Sequence, residues 1–168
     1  MRHIIFFLVG FLPIFSYAQD QQEWLVKMGD NAPNFEFTLA DSSVKNLHEY
    51  KGKIILINFF ATWCPPCRKE LPRVQKEIYD VYKSNENFEL FVFGREENWD
   101  KLTPFIQKTG YTFPILPDLE RQIFSKYANS GIPRNVLIDE QGKIIYLSLG
   151  YTDEDFNNLL TVLKNKLN

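Results

Sequence analysis

The stretch from Lys53 to Pro72 reads Lys-Ile-Ile-Leu-Ile-Asn-Phe-Phe-Ala-Thr-Trp-Cys-Pro-Pro-Cys-Arg-Lys-Glu-Leu-Pro. Its first nine residues, 53–61, form a nearly unbroken apolar run, which is typical of a strand buried on both faces. A helical pattern begins at once at Pro65 and continues to about Lys83. Pro72 inside that helix predicts a kink, because proline removes a backbone donor. The cysteines therefore stand where a buried strand passes into a helix.

The rest of the chain predicts an α/β fold with a mixed central sheet flanked by helices. Strands are predicted over 35–39, 88–94, 113–116, 135–139 and 143–149, and helices over 98–108, over 119–127 and from Thr152 onward. Glu140-Gln141-Gly142 indicates a hairpin between the last two strands. Parallel crossovers come first and an antiparallel hairpin comes late, which makes the sheet mixed.

Composition and charge narrow the class of protein. The 168 residues suit one domain, and 45% hydrophobic with 24% charged residues is the balance of a folded chain rather than a disordered one. Lys and Arg number 19 against 21 Asp and Glu, a net charge of −2 without a basic tract. We therefore expect no nucleic-acid partner, since a phosphate backbone requires clustered positive charge.

The N-terminal residues have the pattern of a targeting segment. Arg2 and His3 precede an apolar run over 4–15, and small residues over 16–18 suit a signal peptidase. We predict a signal peptide over 1–18 with cleavage near Ala18–Gln19. The alternative is an uncleaved anchor, although the run is shorter than the roughly 20 residues that span a bilayer as a helix.

Cleavage would leave an irregular lead-in over 19–31 and one domain over 32–168. We expect the mature chain to be exported, in the periplasm. Thiols are usually oxidised into structural disulfides outside the cytoplasm, yet Cys64 and Cys67 are the sequence's two cysteines. A disulfide that closes so short a loop adds only about 2 kcal/mol in the chain-entropy account. A redox function explains the pair better than a structural one.

The spacing of the cysteines suits thiol chemistry. Cys64 would lie at the positive end of the helix dipole, which lowers its pKa and favours the attacking thiolate. Cys67 lies one turn further on the same face, where it can close back on Cys64. Pro65 and Pro66 lack N–H groups, so mainly the Cys67 N–H and the dipole act on the thiolate. We expect a moderate lowering of the Cys64 pKa, which favours a reductant over a strong oxidant.

Three segments together resemble the TlpA/ResA branch of exported thioredoxin-like proteins. They are Asn58–Pro72, Gly131-Ile132-Pro133 and Leu137–Ile144, and the similarity extends roughly over 32–166. The resemblance implies a thioredoxin-like fold with a central αβ insertion at about 98–127. It also implies that Pro133 is a cis-proline facing the cysteines, and that the backbone at Ile132 docks the extended target chain.

Two positions near the cysteines carry alternatives. Asn58 stands where ordinary thioredoxins resemble one another in having a buried Asp that manages protons for the second Cys, and Asn cannot titrate. Glu70 lies three residues after Cys67 and matches an acid that several members of the branch carry near the site. We expect Glu70 to handle the proton of Cys67. The alternative is an exposed carboxylate paired with Arg73 or a nearby Lys.

Three further residues are weighed the same way. Trp63 either shapes a docking surface around the thiolate or forms an aromatic wall of the core. Arg68 adds positive potential or is simply a solvated surface residue, which we favour. His48 is expected in a loop.

The expected function is thiol:disulfide oxidoreduction, run as a reductase. No organic cofactor or metal is expected. Regeneration outside the cytoplasm would require a membrane thiol-electron transporter as donor. The family resemblance implies disulfide-containing exported proteins as substrates, apocytochrome c among them.

Three other functions stay open from the sequence alone. One is the opposite direction, a disulfide oxidase or isomerase. Another is a copper(I) carrier, although two Cys, one mature His and Met28 are few ligands for a tetrahedral site. The third is a peroxidase, but such enzymes have a Thr three residues before the attacking Cys, whereas Thr62 is two before Cys64.

Overall fold

The computed structural model describes residues 24–167, so the predicted signal peptide over 1–18 lies outside the described residues. The strands are β1 (Glu36–Thr38), β2 (Val44–Asn46), β3 (Ile54–Phe60), β4 (Phe88–Arg95), β5 (Ile115–Asp118), β6 (Arg134–Ile138) and β7 (Ile144–Leu149). The helices are α1 (Pro65–Arg73), α2 (Asp80–Tyr82), α3 (Trp99–Thr109) and α4 (Asp153–Leu167), with 3-10 turns at Leu47–Tyr50 and Phe124–Lys126. No helix within 24–167 is long and apolar enough to cross a bilayer.

A five-stranded sheet forms the centre of the fold, in the order β5-β4-β3-β6-β7. β3 pairs in parallel with β4, and β4 in parallel with β5. On its other side β3 pairs antiparallel with β6, which forms the predicted hairpin with β7. Every residue of β3 is buried, as its apolar run predicts. The predicted mixed α/β sheet is confirmed.

The two faces of the sheet are covered differently. On one face, α1, α3 and α4 bury apolar side chains such as Leu71, Leu102 and Leu159 against the strands. On the other, the hairpin β1–β2, the two 3-10 turns and the lead-in residues cover an aromatic cluster. Six phenylalanines are buried in these two layers: Phe35, Phe59, Phe60, Phe88, Phe91 and Phe93.

The helix after the cysteines runs on past Pro72. Directly after α1, the backbone hydrogen bonds change to the longer i→i+5 spacing of a π-helix over Val74–Tyr79. The short helix α2 completes this helical run. The kink predicted near Pro72 stays a prediction, and the π-helical segment that follows is one of the usual places where helices bend. The first turn of the helix, which carries the cysteines, keeps α-helical geometry.

Two parts of the sequence prediction were wrong. The helix predicted over 119–127 is a single 3-10 turn, because Asp118 accepts the backbone N–H groups of Ile123 and Phe124 and Arg121 has a left-handed φ of 56°. The strand predicted over 35–39 is not an edge of the main sheet. It pairs with β2, which the sequence did not indicate, in a separate hairpin.

Candidate active site

Cys64 and Cys67 form a disulfide at the start of α1, where Cys64 is the N-cap residue. Cys64 has extended backbone angles and Cys67 lies in the first turn, so one helical turn brings the two sulfurs together. Cys67 is completely buried, whereas Cys64 keeps 2% of its surface exposed. Of the two sulfur-bearing residues, Cys64 is the one that keeps any exposed surface in the oxidised state.

Two backbone groups face the Cys64 sulfur and favour opposite protonation states. The Cys67 N–H donates to Cys64 Sγ at 3.3 Å, and this contact favours a thiolate. The carbonyl oxygen of Ile132 lies 3.9 Å from the same sulfur and would accept a hydrogen bond from a reduced thiol, which favours the protonated form. Pro65 and Pro66 occupy the first two helical positions without N–H groups. The surroundings of Cys64 therefore contain one contact that favours the thiolate and one that favours the thiol.

The loop before β6 places Ile132 against the cysteines. The Ile132–Pro133 peptide bond is cis, Pro133 is buried, and Ile132 keeps part of its surface exposed. The next residue, Arg134, is fully buried and folds back to donate hydrogen bonds to the carbonyls of Ser130 and Gly131. Its guanidinium also stacks 4.1 Å from the ring centre of Trp24, so Arg134 contacts both the lead-in and the loop before β6.

Glu70 lies in a buried polar cluster on the α1 face of the sheet. Asn135 Nδ2 donates to Glu70 Oε1 at 2.6 Å, and Asn58 Nδ2 donates to Glu70 Oε2 at 3.0 Å. Asn58 also donates to Asn135 at 2.8 Å, and Asn135 donates to Ser148 at 3.2 Å. The cluster joins α1 to β3, β6 and β7, and it reaches α1 at Glu70, three residues after Cys67.

Burial gives this carboxyl an unusual acidity. Desolvation raises the pKa of Glu70 from 4.5 to about 7, although the hydrogen bonds from Asn135 and Asn58 act to lower it. A group with such a pKa exchanges a proton near neutral pH, which is the property that general acid–base chemistry needs. The alternative position for Glu70, an exposed carboxylate paired with Arg73, is wrong. Arg73 instead pairs with Glu77 at 2.6 Å.

Trp63, Arg68 and His48 are all exposed to solvent. Trp63 is 64% exposed, so its alternative as an aromatic wall of the core is wrong. Arg68 is exposed, as we favoured. His48 is exposed within the 3-10 turn over Leu47–Tyr50 rather than in an open loop. The roles assigned to Cys64, Cys67, Glu70, Trp63, Ile132 and Pro133 stay predictions, and the structure supplies their positions.

Sequence reasoning missed three polar residues around the site. Asn135 and Arg134 interrupt the apolar strand β6, and polar residues inside a buried strand were a usable signal. Glu97 follows β4 and is 4% exposed, with its carboxylate bound to Thr62. No local pattern marked Glu97, because its partner lies 35 residues away. Within residues 24–167, no cluster of three or more His, Cys, Asp or Glu is placed to hold a metal ion.

Comparison with known families and sequences agrees with this geometry. The Redoxin family matches residues 27–163. The thiol-disulfide oxidoreductase ResA of Geobacillus kaustophilus is 32% identical over 140 residues, which is 83% of this chain and 79% of that protein. ResA of Bacillus subtilis is 31% identical over 139 residues, covering 80% of this chain and 76% of that protein.

Solved structures share the fold. The solution structure of a putative protein disulfide isomerase from Bacteroides thetaiotaomicron is 39% identical, with a TM-score of 0.82 over 86% of this chain and 92% of that chain. The crystal structure of StoA from Bacillus subtilis is 26% identical, with a TM-score of 0.64 over 77% of this chain and 97% of that chain. The thioredoxin-like fold predicted from the resemblance is confirmed.

Proposed function

The chain belongs to the redoxin family and is a thiol-disulfide oxidoreductase of the ResA type, and from this premise we propose that it reduces disulfides in exported proteins. The observation that carries the proposal is the Cys64–Cys67 disulfide at the N-terminus of α1, with the Ile132 carbonyl 3.9 Å from Cys64 Sγ. These features give one sulfur that a partner reaches, a second that resolves, and a backbone edge on which a target chain docks.

The reaction proceeds in two exchanges. The Cys64 thiolate attacks one sulfur of the target disulfide, forms a mixed disulfide, and releases the other target sulfur as a thiolate that takes up a proton. Cys67 loses its proton and attacks Cys64 Sγ, which releases the second target sulfur. Two electrons and two protons pass to the target, and the Cys64–Cys67 disulfide is left oxidised.

Three groups around the sulfurs support these steps. Glu70, with a pKa raised to about 7, is the proton acceptor that we assign to Cys67. Exposed Trp63 and the partly exposed Ile132 flank Cys64, and we assign them to target docking. The target's extended backbone would pair with the Ile132 peptide as a short added strand.

The reductive direction is supported by the surroundings of Cys64. Two prolines remove the N–H groups that would stabilise a strongly acidic thiolate, and the Ile132 carbonyl favours the protonated thiol. A reduced form that is little stabilised gives a low potential, hence a reductant. We assign export to the segment over 1–18, regeneration to a membrane thiol-electron transporter, and apocytochrome c to the candidate targets.

The reduction potential tests the direction. Equilibration of the mature chain with thiol–disulfide buffers should give a value toward about −270 mV, as for thioredoxin, and a value near about −120 mV would identify an oxidant. A Cys67→Ser variant expressed with its N-terminal segment should trap targets as mixed disulfides, and mass spectrometry would identify them. Recovery of the chain in the periplasmic fraction beginning at Gln19 tests export.

Disulfide isomerisation is the second candidate. The solved relative from Bacteroides thetaiotaomicron, 39% identical, is described as a putative protein disulfide isomerase. An isomerase would restore activity to a scrambled disulfide protein without net consumption of reductant. A reductase would instead consume one equivalent of dithiol for each disulfide opened.

A further inference from the structure

Glu97 is a buried carboxylate placed beside the turn that carries the nucleophile. Its two oxygens accept the Thr62 backbone N–H at 3.1 and 3.0 Å, and Oε1 also accepts the Thr62 hydroxyl at 2.7 Å. Its own backbone is held by a hydrogen bond from the Glu97 N–H to the Gly94 carbonyl at 3.1 Å. The carboxylate is therefore a rigid anchor for Thr62.

Thr62 belongs to the tight turn between β3 and α1. The Cys64 N–H closes this turn on the Ala61 carbonyl at 3.1 Å. Thr62 precedes Cys64 by two positions, so their Cα atoms lie within about 7.6 Å. The hydrogen bonds from Thr62 to Glu97 therefore help to fix the position of Cys64 at the start of α1.

Within residues 24–167, no Lys, Arg or His forms an ion pair with the Glu97 carboxylate. Among the described residues, the hydrogen bonds that its oxygens accept all come from Thr62. The neighbouring cations pair elsewhere: Arg95 lies 3.0 Å and Arg121 3.8 Å from the carboxylate of Glu96. The Glu97 oxygens contact Thr62, two positions before Cys64, and a buried negative charge in this part of the site disfavours a second negative charge on the Cys64 sulfur.

We propose that Glu97 is a positioning residue that keeps Cys64 a reductant. Its carboxylate anchors the turn before Cys64, and its negative charge opposes formation of the Cys64 thiolate. The reduced protein is thereby less stabilised relative to the disulfide, and the potential falls. This inference deepens the proposed reductive function and rests on it.

Glu97→Gln removes the charge and keeps an oxygen that accepts from Thr62. We expect the Cys64 pKa to fall by on the order of one unit, measured from the pH profile of Cys64 alkylation in the reduced protein. The equilibrium constant with glutathione should shift by up to about tenfold toward the reduced protein, which is about 30 mV.

Two variants separate charge from anchoring. Glu96→Gln removes the same charge at the adjacent exposed position, where it is paired with arginines, and should leave the pKa and potential at parental values. Thr62→Val removes the hydroxyl bond but keeps the Glu97 charge, so it should lower stability without lowering the Cys64 pKa. If Glu97→Gln does not fold, the double variant Thr62→Val, Glu97→Gln serves in its place, because it removes the charge and the hydroxyl while the amide oxygen still accepts the Thr62 N–H.

The outcomes distinguish this inference from the proposed direction. A parental potential toward −270 mV together with an unchanged potential and pKa in Glu97→Gln would overturn the role of Glu97 alone. A parental potential near −120 mV that rises further in Glu97→Gln would overturn the reductive function while the electrostatic role stands. Equal pKa shifts in Thr62→Val and Glu97→Gln would reduce Glu97 to a structural anchor, which contradicts the proposal.

Discussion

Asn135 donates a 2.6 Å hydrogen bond to Glu70 and so ties the strand after Pro133 to the helix that carries the cysteines. Asn58 holds the other carboxylate oxygen from the central strand. Both amides lack a titratable proton in the physiological range, so Glu70 is the member of this cluster that exchanges one. The buried carboxyl of Glu70 thus connects the cysteine-bearing helix to β3 and to β6, the strand that follows Pro133.

Glu70→Gln should slow the second exchange and spare the first. The amide cannot accept the Cys67 proton, and a positioned acid or base typically contributes about 10²- to 10⁴-fold to such a step. Stopped-flow kinetics of mixed-disulfide formation and resolution from pH 6 to 9 measure both steps. Glu77→Gln, a carboxylate on the same helix run that pairs with Arg73, is the control and should resolve at the parental rate. Parental resolution in Glu70→Gln across this range would end the assignment.

Glu70 should also make stability depend on pH in an unusual direction. The pKa of Glu70 is about 7 in the folded protein, whereas its ordinary value, which applies to the unfolded chain, is 4.5. Between pH 4.5 and 7 the folded protein therefore keeps a proton that the unfolded chain has released. The stabilisation from the protonated carboxyl is present below pH 4.5 and is lost as the pH rises through 7. The oxidised parent should lose on the order of 3 kcal/mol relative to Glu70→Gln between pH 4.5 and 8. Urea unfolding of both proteins across this range measures the difference, and parallel curves would contradict the raised pKa.

Cys64→Ser should abolish turnover while the fold is kept. The nucleophile is lost, but the disulfide closes a short loop and its removal costs about 2 kcal/mol. Insulin disulfide reduction measures activity, and circular dichroism with thermal unfolding measures the fold. Cys67→Ser is the matched variant: it should still form the mixed disulfide but not release it. A folded Cys64→Ser protein that retained turnover would remove Cys64 from the role of nucleophile.

Trp63→Ala should weaken docking of a protein substrate without weakening the fold. The side chain is 64% exposed, so its loss should change stability by less than about 0.5 kcal/mol. Loss of an aromatic docking residue should lower kcat/KM for a protein disulfide by about tenfold, with a smaller effect on a low-molecular-weight disulfide. Val81→Ala, 60% exposed near the far end of the same helical run, is the control. Equal kcat/KM losses on both substrates would place Trp63 in the chemistry rather than in docking.

Apolar periodicity, together with the Gly, Pro and capping residues at the ends of elements, was enough to predict most of the helices and strands. The buried strand over 53–61, the helix that starts at Pro65, and the late hairpin around Gly142 all rest on patterns within a few residues. Thr152 was likewise a local signal, since its hydroxyl accepts the Asp155 N–H at 3.0 Å at the start of α4. The helix predicted over 119–127 failed because the Asp118 carboxylate accepts the backbone N–H groups of Ile123 and Phe124.

The position of two cysteines at a strand-to-helix junction could be predicted from local patterns alone, because the strand period, the helix period and the Cys spacing are all local properties. Which polar groups meet there depends on how distant segments pack. Glu70 meets Asn135 across 65 positions, and Thr62 meets Glu97 across 35. The buried state that raises the Glu70 pKa depends on how three strands and a helix pack together, and no spacing along the chain encodes desolvation. The redox pair can thus be identified from the sequence, whereas the polar groups around it come together only when the chain folds.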